Sequence, residues 1–167
     1  MSDINLHTQI CFIGLGSNLN EPISQVLTAL DELASHPDIS LIARSPLYRS
    51  APVGPAGQPD YINAAAKIET LLTPLDLLEE LQAIEQKHQR IREQHWGPRT
   101  LDLDLLLYGN ITLDTEKLTI PHPYLTERNF VLRPLADLDE ELSLPDGRKI
   151  IQCLADCPMG SLVQLSL

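Results

Sequence analysis

The sequence has no apolar run of about 18 residues, and its first three residues, Met1-Ser2-Asp3, are polar. A membrane-spanning helix needs about 20 apolar residues, and an export signal needs a basic start followed by an apolar core. We therefore expect a soluble cytoplasmic protein, neither exported nor partnered with a membrane.

Cysteine is also scarce, since the sequence contains three, Cys11, Cys153 and Cys157. Their number is odd, and Cys153 and Cys157 lack the nearby second pair of ligands that a structural zinc site uses. We interpret all three as reduced structural thiols, which agrees with a cytosolic location.

Positive charge is in deficit, since 12 Lys and Arg face 23 Asp and Glu and the net charge is −11. A protein that binds along nucleic acid needs a basic surface, so we expect no nucleic-acid partner. The cations that exist are clustered, and thirteen residues contain Lys87, His88, Arg90, Arg92, His95 and Arg99. Such a cluster on an acidic body suits a small polyanion. Lys87, Arg90 and Arg92 could instead complement the negative end of a helix, whereas Arg99 lies beyond Gly97-Pro98.

The usual nucleotide-binding loops are absent. The segment from Gly14 to Leu19 has leucine where a dinucleotide fingerprint needs its third glycine, and the sequence contains no Walker loop. No Ser-His-Asp or Cys-His arrangement is evident either. If this chain binds phosphate, arginines and a metal ion must do it.

The hydrophobic pattern predicts one α+β domain over residues 1–167. Its hydrophobic fraction is 43%, and a chain of this length buries roughly 70% of its unfolded surface. Apolar periodicity and turn residues predict the following elements: a strand at 9–15, a helix from 22, strands at 39–49 and 61–70, a helix from 74, a strand from 101, a short strand at 111–113 and a helix over 127–137. This order predicts a ferredoxin-like βαββαβ sandwich with additional short strands and C-terminal helices.

The strand that begins near residue 101 carries the strongest functional signal. Side chains alternate along a strand, so Leu101, Leu103, Leu105 and Leu107 should face one way and Asp102 and Asp104 the other. Two carboxylates about 6.6 Å apart can hold magnesium between them. They could equally be the solvated face of an amphipathic strand, although aspartate is unfavourable in strands unless something pairs with it.

Four ordered blocks of the sequence resemble the 6-hydroxymethyl-7,8-dihydropterin pyrophosphokinase family over nearly the whole chain. The blocks are Gly14 to Leu19, Tyr48 to Gly54 with Gln58 to Ala64, Trp96 to Asp104, and Pro121-His122-Pro123 with Arg128, Phe130 and Val131. The resemblance implies transfer of pyrophosphate from ATP to the pterin. The products would be AMP and 7,8-dihydropterin-6-ylmethyl diphosphate, an intermediate of folate biosynthesis.

The resemblance also implies roles for individual residues. Asp102 and Asp104 would bind two magnesium ions and act in catalysis together with Arg90 and Arg99. The pterin site would comprise Gly16, Ser50, Ala51, Val53, Tyr61, Asn63, Trp96 and Phe130, with Tyr61 and Phe130 stacking on the heterocycle. The ATP site would comprise Gln82, Glu85, Arg90, Arg92, Arg99, His122 and Arg128. We expect a monomer that acts on these two small molecules.

Plainer interpretations of several residues stay open. Without the resemblance, Tyr61 and Phe130 would be ordinary core residues, Gln82 and Glu85 the polar face of a helix, and His122 a loop histidine. The same aspartates could also serve a metal-dependent phosphohydrolase with water as nucleophile. The chain departs from many relatives of the family at Ala51, Gln89, His95 and Tyr124.

Overall fold

The computed structural model describes residues 7–19, 21–51, 59–89 and 101–166. Its strands are β1 (Gln9–Ser17), β2 (Ile39–Arg44), β3 (Tyr48–Ser50), β4 (Tyr61–Thr70), β5 (Asp102–Tyr108), β6 (Leu113–Asp114), β7 (Thr119–Ile120) and β8 (Val163–Gln164). Its α-helices are α1 (Pro22–Ser35), α2 (Pro74–Gln89), α3 (Asn129–Leu138) and α4 (Ile150–Ala155). A short 3-10 helix, Leu125–Glu127, precedes α3. None of the helices in these ranges is long and apolar enough to cross a membrane.

The main sheet is antiparallel and has the order β5-β1-β4-β3-β8, with β2 also paired to β4. Helix α1 joins β1 to β2 and helix α2 joins β4 to β5, so each helix crosses over between strands that are consecutive in sequence but not adjacent in the sheet. This arrangement confirms the predicted ferredoxin-like βαββαβ fold, with the additional short strands and C-terminal helices.

Several predicted elements have different boundaries in the structure, and β1 extends to Ser17, beyond the strand expected at 9–15. The strand expected at 39–49 is divided into β2 and β3 at Ser45-Pro46, because proline has no N–H to donate to a strand ladder. The strand expected at 111–113 is displaced toward the C-terminus, because β6 comprises Leu113–Asp114 and shares only Leu113 with the prediction. The helix expected over 127–137 begins at Asn129 and continues through Pro134, which lacks the N–H that would bond the carbonyl of Phe130.

One face of the sheet is sealed by helices, and we call it the covered face. The apolar stripes of α1 and α2, which include Leu30, Leu33, Leu77 and Leu81, pack on it. The strand residues buried there include Ile13, Leu15, Ala64, Ala66, Ile68, Leu103 and Leu105. Burial of these side chains provides the larger of the two hydrophobic cores.

The opposite face, which we call the cleft face, is covered over only part of its area. Helices α3 and α4 bury a second core there, formed by residues that include Phe12, Ala65, Leu106, Leu107, Leu132 and Leu135. Beyond this core the same face carries Gly14, Gly16, Asn63, Asp102 and Asp104, which lie around an open cleft.

The leucine alternation predicted for β5 is wrong at Leu107. Phe12 pairs with Leu107 and Ile13 pairs with Leu105, so Leu106 is an extra residue in β5. Such a bulge shifts the alternation by one residue. Leu103 and Leu105 therefore belong to the covered face, whereas Leu107 packs on the cleft face.

Candidate active site

Two glycines of β1 form the floor of the cleft. Gly16 lies between Asn63 of β4 and Asp102 of β5, and Gly14 lies between Ala65 and Asp104. Residues paired across strands point to the same side of a sheet, so an absent side chain on β1 leaves a trough between these neighbours. A Cβ atom added to Gly16 would lie 3.1 Å from Nδ2 of Asn63. The trough therefore depends on glycine at this position.

The cleft has a volume of about 460 Å³ and is bounded by β1, β4, β5 and the start of α3. Its described lining comprises Gly14, Leu15, Gly16, Ser50, Tyr61, Asn63, Ala64, Ala65, Asp102, Asp104, Leu106, Glu127, Arg128, Phe130 and Val131. A largely apolar concavity with a few converging polar groups is the usual form of a small-molecule site.

Asn63 presents a fixed amide to the cleft. It is 7% exposed, and Ser50 Oγ donates a hydrogen bond of 3.0 Å to its Oδ1. This bond orients the amide, because Oδ1 accepts from Ser50 and the two N–H groups of Nδ2 remain on the other side. The site thus offers amide donors beside the aromatic ring of Tyr61.

The first turn of α3 places an aromatic ring and a cation on the cleft. Asn129 anchors this turn, since its Nδ2 donates to the carbonyls of Pro158 at 2.6 Å and Met159 at 2.7 Å. Phe130 and Arg128 then both line the cleft, with Arg128 at the N-cap of the helix. The ends of two distant chain segments, β4 and α3, therefore supply the rings of Tyr61 and Phe130 to one cavity.

Glu85 of α2 holds the outer edge of the aspartate strand. The backbone N–H of Leu103 donates a hydrogen bond of 2.7 Å to Glu85 Oε2. Strand β5 is an edge strand, and Leu103 lies between Asp102 and Asp104. The bond satisfies an N–H that has no strand partner and fixes the backbone from which both carboxylates project.

A second cavity of about 220 Å³ lies beside the cleft and shares Asp104 with it. Its other described lining residues are Leu78, Leu103, Leu105, Glu116, Lys117, Leu118, Thr119, His122 and Pro123. The bulge in β5 positions one wall, because the N–H of His122 donates to the carbonyl of Leu106 at 3.1 Å. Asp104 thus stands between two concavities on one strand.

The surroundings of His122 favour its neutral form, mainly because the ring is partly buried. Burial lowers the pKa of His122 below its usual value, the Asp104 carboxylate opposes this shift, and the Arg128 guanidinium lowers the pKa further. The backbone N–H of Tyr124 lies 3.4 Å from His122 Nδ1, so a neutral ring with its proton on Nε2 fits this geometry. His122 can then donate from Nε2 to a ligand oxygen.

Asp102 and Asp104 are chemically suited to magnesium. Both are half-buried on the cleft face, and carboxylate oxygen is the ligand that this hard cation prefers. Among the residues that the structure describes, no group of three or more His, Cys, Asp or Glu could hold a metal ion. Magnesium commonly takes one or two carboxylates and completes its coordination with water and substrate phosphate, so the pair fits.

Known proteins with similar sequences are consistent with a site for a small molecule and phosphate. Residues 12–140 match the family model described as 7,8-dihydro-6-hydroxymethylpterin-pyrophosphokinase. The chain belongs to this family. A 2-amino-4-hydroxy-6-hydroxymethyldihydropteridine pyrophosphokinase of Pseudomonas aeruginosa is 50% identical over 157 residues, which cover 94% of this chain and 97% of the relative. The Haemophilus influenzae protein of the same name is 45% identical over 155 residues, covering 93% and 97%.

Solved structures support the fold of this pyrophosphokinase family member. The HPPK-DHPS structure of Plasmodium falciparum with pteroate superposes with a TM-score of 0.71 over 93% of this chain at 16% identity. The chain covers 43% of the Plasmodium chain, so the likeness concerns one part of a larger protein. Membership in the family makes the chain an ATP-dependent pyrophosphokinase, with ATP as co-substrate.

The predicted residues of the family site fall into three groups. Those that line the cleft are Gly16, Ser50, Tyr61, Asn63, Asp102, Asp104, Arg128 and Phe130, and His122 lines the second cavity. Gln82 is exposed on α2, Glu85 accepts from the Leu103 N–H, and the N–H of Ala51 donates to Ser161 Oγ at 3.0 Å; none of these three is among the described residues that line a cavity named above. Val53, Arg90, Arg92, Trp96 and Arg99 lie outside the described residues.

Several lining residues were not predicted from the sequence. Leu78, Lys117 and Thr119 line the second cavity, and they come from α2, the segment after β6, and β7. No local motif marks them, because their proximity depends on how distant elements pack. Gly14 belongs to the sequence block from Gly14 to Leu19, and its alternation with Gly16 is the sequence signal for the trough.

Proposed function

We propose that the cleft is the place where this enzyme transfers pyrophosphate from ATP to 6-hydroxymethyl-7,8-dihydropterin in folate biosynthesis. The observation that carries the assignment is the meeting of Asp102, Asp104, Asn63 and the rings of Tyr61 and Phe130 around one concavity. The pterin is a flat polar heterocycle, so it needs stacking rings together with amide partners at its edge. The described residues provide both.

In this proposal the pterin lies between Tyr61 and Phe130, and the amide of Asn63 meets its polar edge. Offset stacking of flat rings favours such a sandwich, and the Ser50 bond keeps the Asn63 amide from rotating. Gly16 leaves room for the heterocycle to approach the sheet. Its hydroxymethyl group would then face the carboxylates of β5.

The second cavity would take the adenine of ATP. Leu78, Leu103 and Leu105 supply apolar surface, while Lys117, Thr119 and His122 supply polar groups at its margin. Because Asp104 borders both cavities, a nucleotide seated here would extend its phosphates toward the cleft. The Arg128 guanidinium lies beside His122 on that route.

The reaction joins the hydroxymethyl oxygen of the pterin to the β-phosphorus of ATP and breaks the bond between that phosphorus and the α–β bridging oxygen. AMP departs with the bridging oxygen. Phosphoryl transfer of this kind depends on positioning and charge stabilisation. Two magnesium ions held by Asp102 and Asp104 would neutralise phosphate charge, and Arg90 and Arg99 are proposed to act with Arg92 on the same phosphates. A guanidinium fork binds phosphate through two N–H donors.

Product analysis tests the assignment. Protein, ATP, magnesium and the reduced hydroxymethylpterin should give AMP and the pterin diphosphate in equal amounts. ADP or free phosphate as the main product would overturn it and would favour the metal-dependent phosphohydrolase, which the cited relatives do not support. Tyr61→Ala and Phe130→Ala should each raise the KM for the pterin more than the KM for ATP.

We further propose that residues 1–167 act as one pyrophosphokinase domain, monomeric and cytoplasmic. Six of the eight described strands share one sheet, and both cores are built on it. Light scattering on the purified chain tests the oligomeric state, and a mass of about 37 kDa, twice that of one chain, would contradict the monomer.

A further inference from the structure

A row of stacked side chains runs along the ridge between the cleft and the second cavity. The rings of His122 and Tyr124 have centroids 6.3 Å apart and are tilted by 58°. The Arg128 guanidinium carbon lies 4.9 Å from the centroid of the Tyr124 ring and 5.8 Å from that of Phe130. Tyr124 therefore links a residue of the second cavity to two residues of the cleft.

Packing alone does not explain an aromatic ring at position 124. Tyr124 is 53% exposed, so it is not part of either hydrophobic core. Its contacts in the row are with an imidazole and a guanidinium. Cations lying within about 6 Å of a ring centroid are attracted by the electrons of the ring face.

The guanidinium held by these rings keeps its N–H groups available. Within the described parts of the chain, no carboxylate forms an ion pair with Arg128 within 4.0 Å. Aromatic rings contact a guanidinium without consuming its N–H donors as a carboxylate would. Arg128 is thus restrained by Tyr124 and Phe130 and still able to bind phosphate oxygens.

We propose that Tyr124 is a positioning residue that holds Arg128 against Phe130, on the ridge over which the phosphates of ATP pass. The inference rests on the proposed function of the two cavities. It adds a residue to the site that the family resemblance did not assign. It also makes a specific claim: the effect of Tyr124 on ATP acts through Arg128.

A double-mutant cycle tests the claim with AMP formation as the assay. Tyr124→Ala should raise the KM for ATP about threefold to fivefold, the size expected for one exposed cation–π contact. Tyr124→Phe keeps the ring and should stay close to wild type. Tyr124→Leu keeps apolar bulk without a ring face and should resemble Tyr124→Ala. In an Arg128→Ala background, Tyr124→Ala should add no further increase.

Two outcomes would overturn the inference while leaving the proposed function in place. One is a wild-type KM for ATP in Tyr124→Ala, and the other is an equal increase with and without Arg128. A purely structural role for Tyr124 predicts the second outcome, and thermal melting of each variant measures any structural loss directly. A wild-type protein that forms no AMP would overturn the proposed function together with this inference.

Discussion

The two faces of the sheet are built from the same strands, but the covered face forms a hydrophobic core and the cleft face carries the candidate active site. On the covered face, the buried strand residues are mostly Ile, Leu or Ala, and α1 and α2 pack over them. On the cleft face, the alternate positions of the same strands include Gly14, Gly16, Asn63, Asp102 and Asp104. Strand parity thus separates stability from chemistry, since neighbouring residues face different environments.

The largest effect on turnover is expected from substitution of the two aspartates of β5. Asp104→Asn keeps the size of the side chain and removes its charge, so we expect turnover to fall about a hundredfold or more, because metal charge stabilisation is worth several kcal/mol. Asp102→Asn should behave alike. The melting temperature of Asp104→Asn should hold or rise slightly, since two carboxylates on one strand face repel each other. Steady-state AMP formation and thermal melting measure the two quantities.

Ile13→Ala is the matched control for these variants, because Ile13 is fully buried on the covered face of the neighbouring strand β1 and lines neither cavity. It should lower the free energy of unfolding by about 2–5 kcal/mol through the cavity it leaves. The folded fraction should retain most of its turnover. Large stability losses in the aspartate variants would contradict the division between the faces.

Glu85 connects the two faces, since it extends from α2 to the edge of β5. Glu85→Ala removes the acceptor for the Leu103 N–H, and we expect about a tenfold loss of kcat/KM through displacement of the aspartate strand, equivalent to about 1.4 kcal/mol. Glu85→Gln keeps an acceptor oxygen and should lose less than threefold. If the glutamine variant were as impaired as the alanine variant, the charge of Glu85 would matter more than its hydrogen bond.

The glycine trough gives a smaller contrast. Gly16→Ala places a Cβ 3.1 Å from Nδ2 of buried Asn63, so the amide must shift and the KM for the pterin should rise about fivefold to tenfold. Gly14→Ala is the control, because its Cβ would meet Leu106 Cδ1 at 3.3 Å, an apolar atom of a flexible side chain. Equal effects of the two substitutions on pterin KM would argue against the Asn63 contact.

The smallest effect is expected at Tyr48, which lies where α3 packs on the cleft face. The Tyr48 hydroxyl donates a hydrogen bond to the Asp137 carboxylate of α3. Burial raises the pKa of Tyr48 to about 12, and the Asp137 carboxylate contributes to the rise. A raised pKa means that the folded state favours the neutral phenol. Its contribution to stability is therefore complete below pH 10 and is lost as the pH rises to about 12. Tyr48→Phe should cost about 1 kcal/mol at pH 8 and should flatten this alkaline decline in urea unfolding.

Elements that depend on local sequence signals could be predicted from the sequence. Strand β4 was predicted at its observed bounds, Tyr61–Thr70, because its flanking loops carry strong turn signals. Helix α2 begins at Pro74 as expected from Thr73 and Pro74, whose N-cap and N1 preferences are local. Local chemistry thus set the elements of the fold.

The residues that depend on tertiary packing were less predictable. Asp102 and Asp104 were found from alternation, and Tyr61 and Phe130 from family resemblance, yet the Glu85 contact with Leu103 N–H has no sequence signal. A backbone N–H at a sheet edge becomes visible only when the strand order is known. The same holds for Lys117 and Thr119, which reach the second cavity from outside the recognised blocks.

The extra residue at Leu106 has a consequence for how this chain can change over evolutionary time. The bulge shifts the alternation of β5, so that Asp102 and Asp104 before it and Leu107 after it all lie on the cleft face. The carboxylates border the cleft, and Leu107 packs in the second core. Deleting Leu106 would give β5 a regular ladder and would leave Asp102, Asp104 and Leu107 on the cleft face. The deletion would remove a side chain that lines the cleft and the carbonyl that accepts from the His122 N–H. A substitution at Leu106 keeps that carbonyl, so the length of this segment is under tighter constraint than the identity of its side chain.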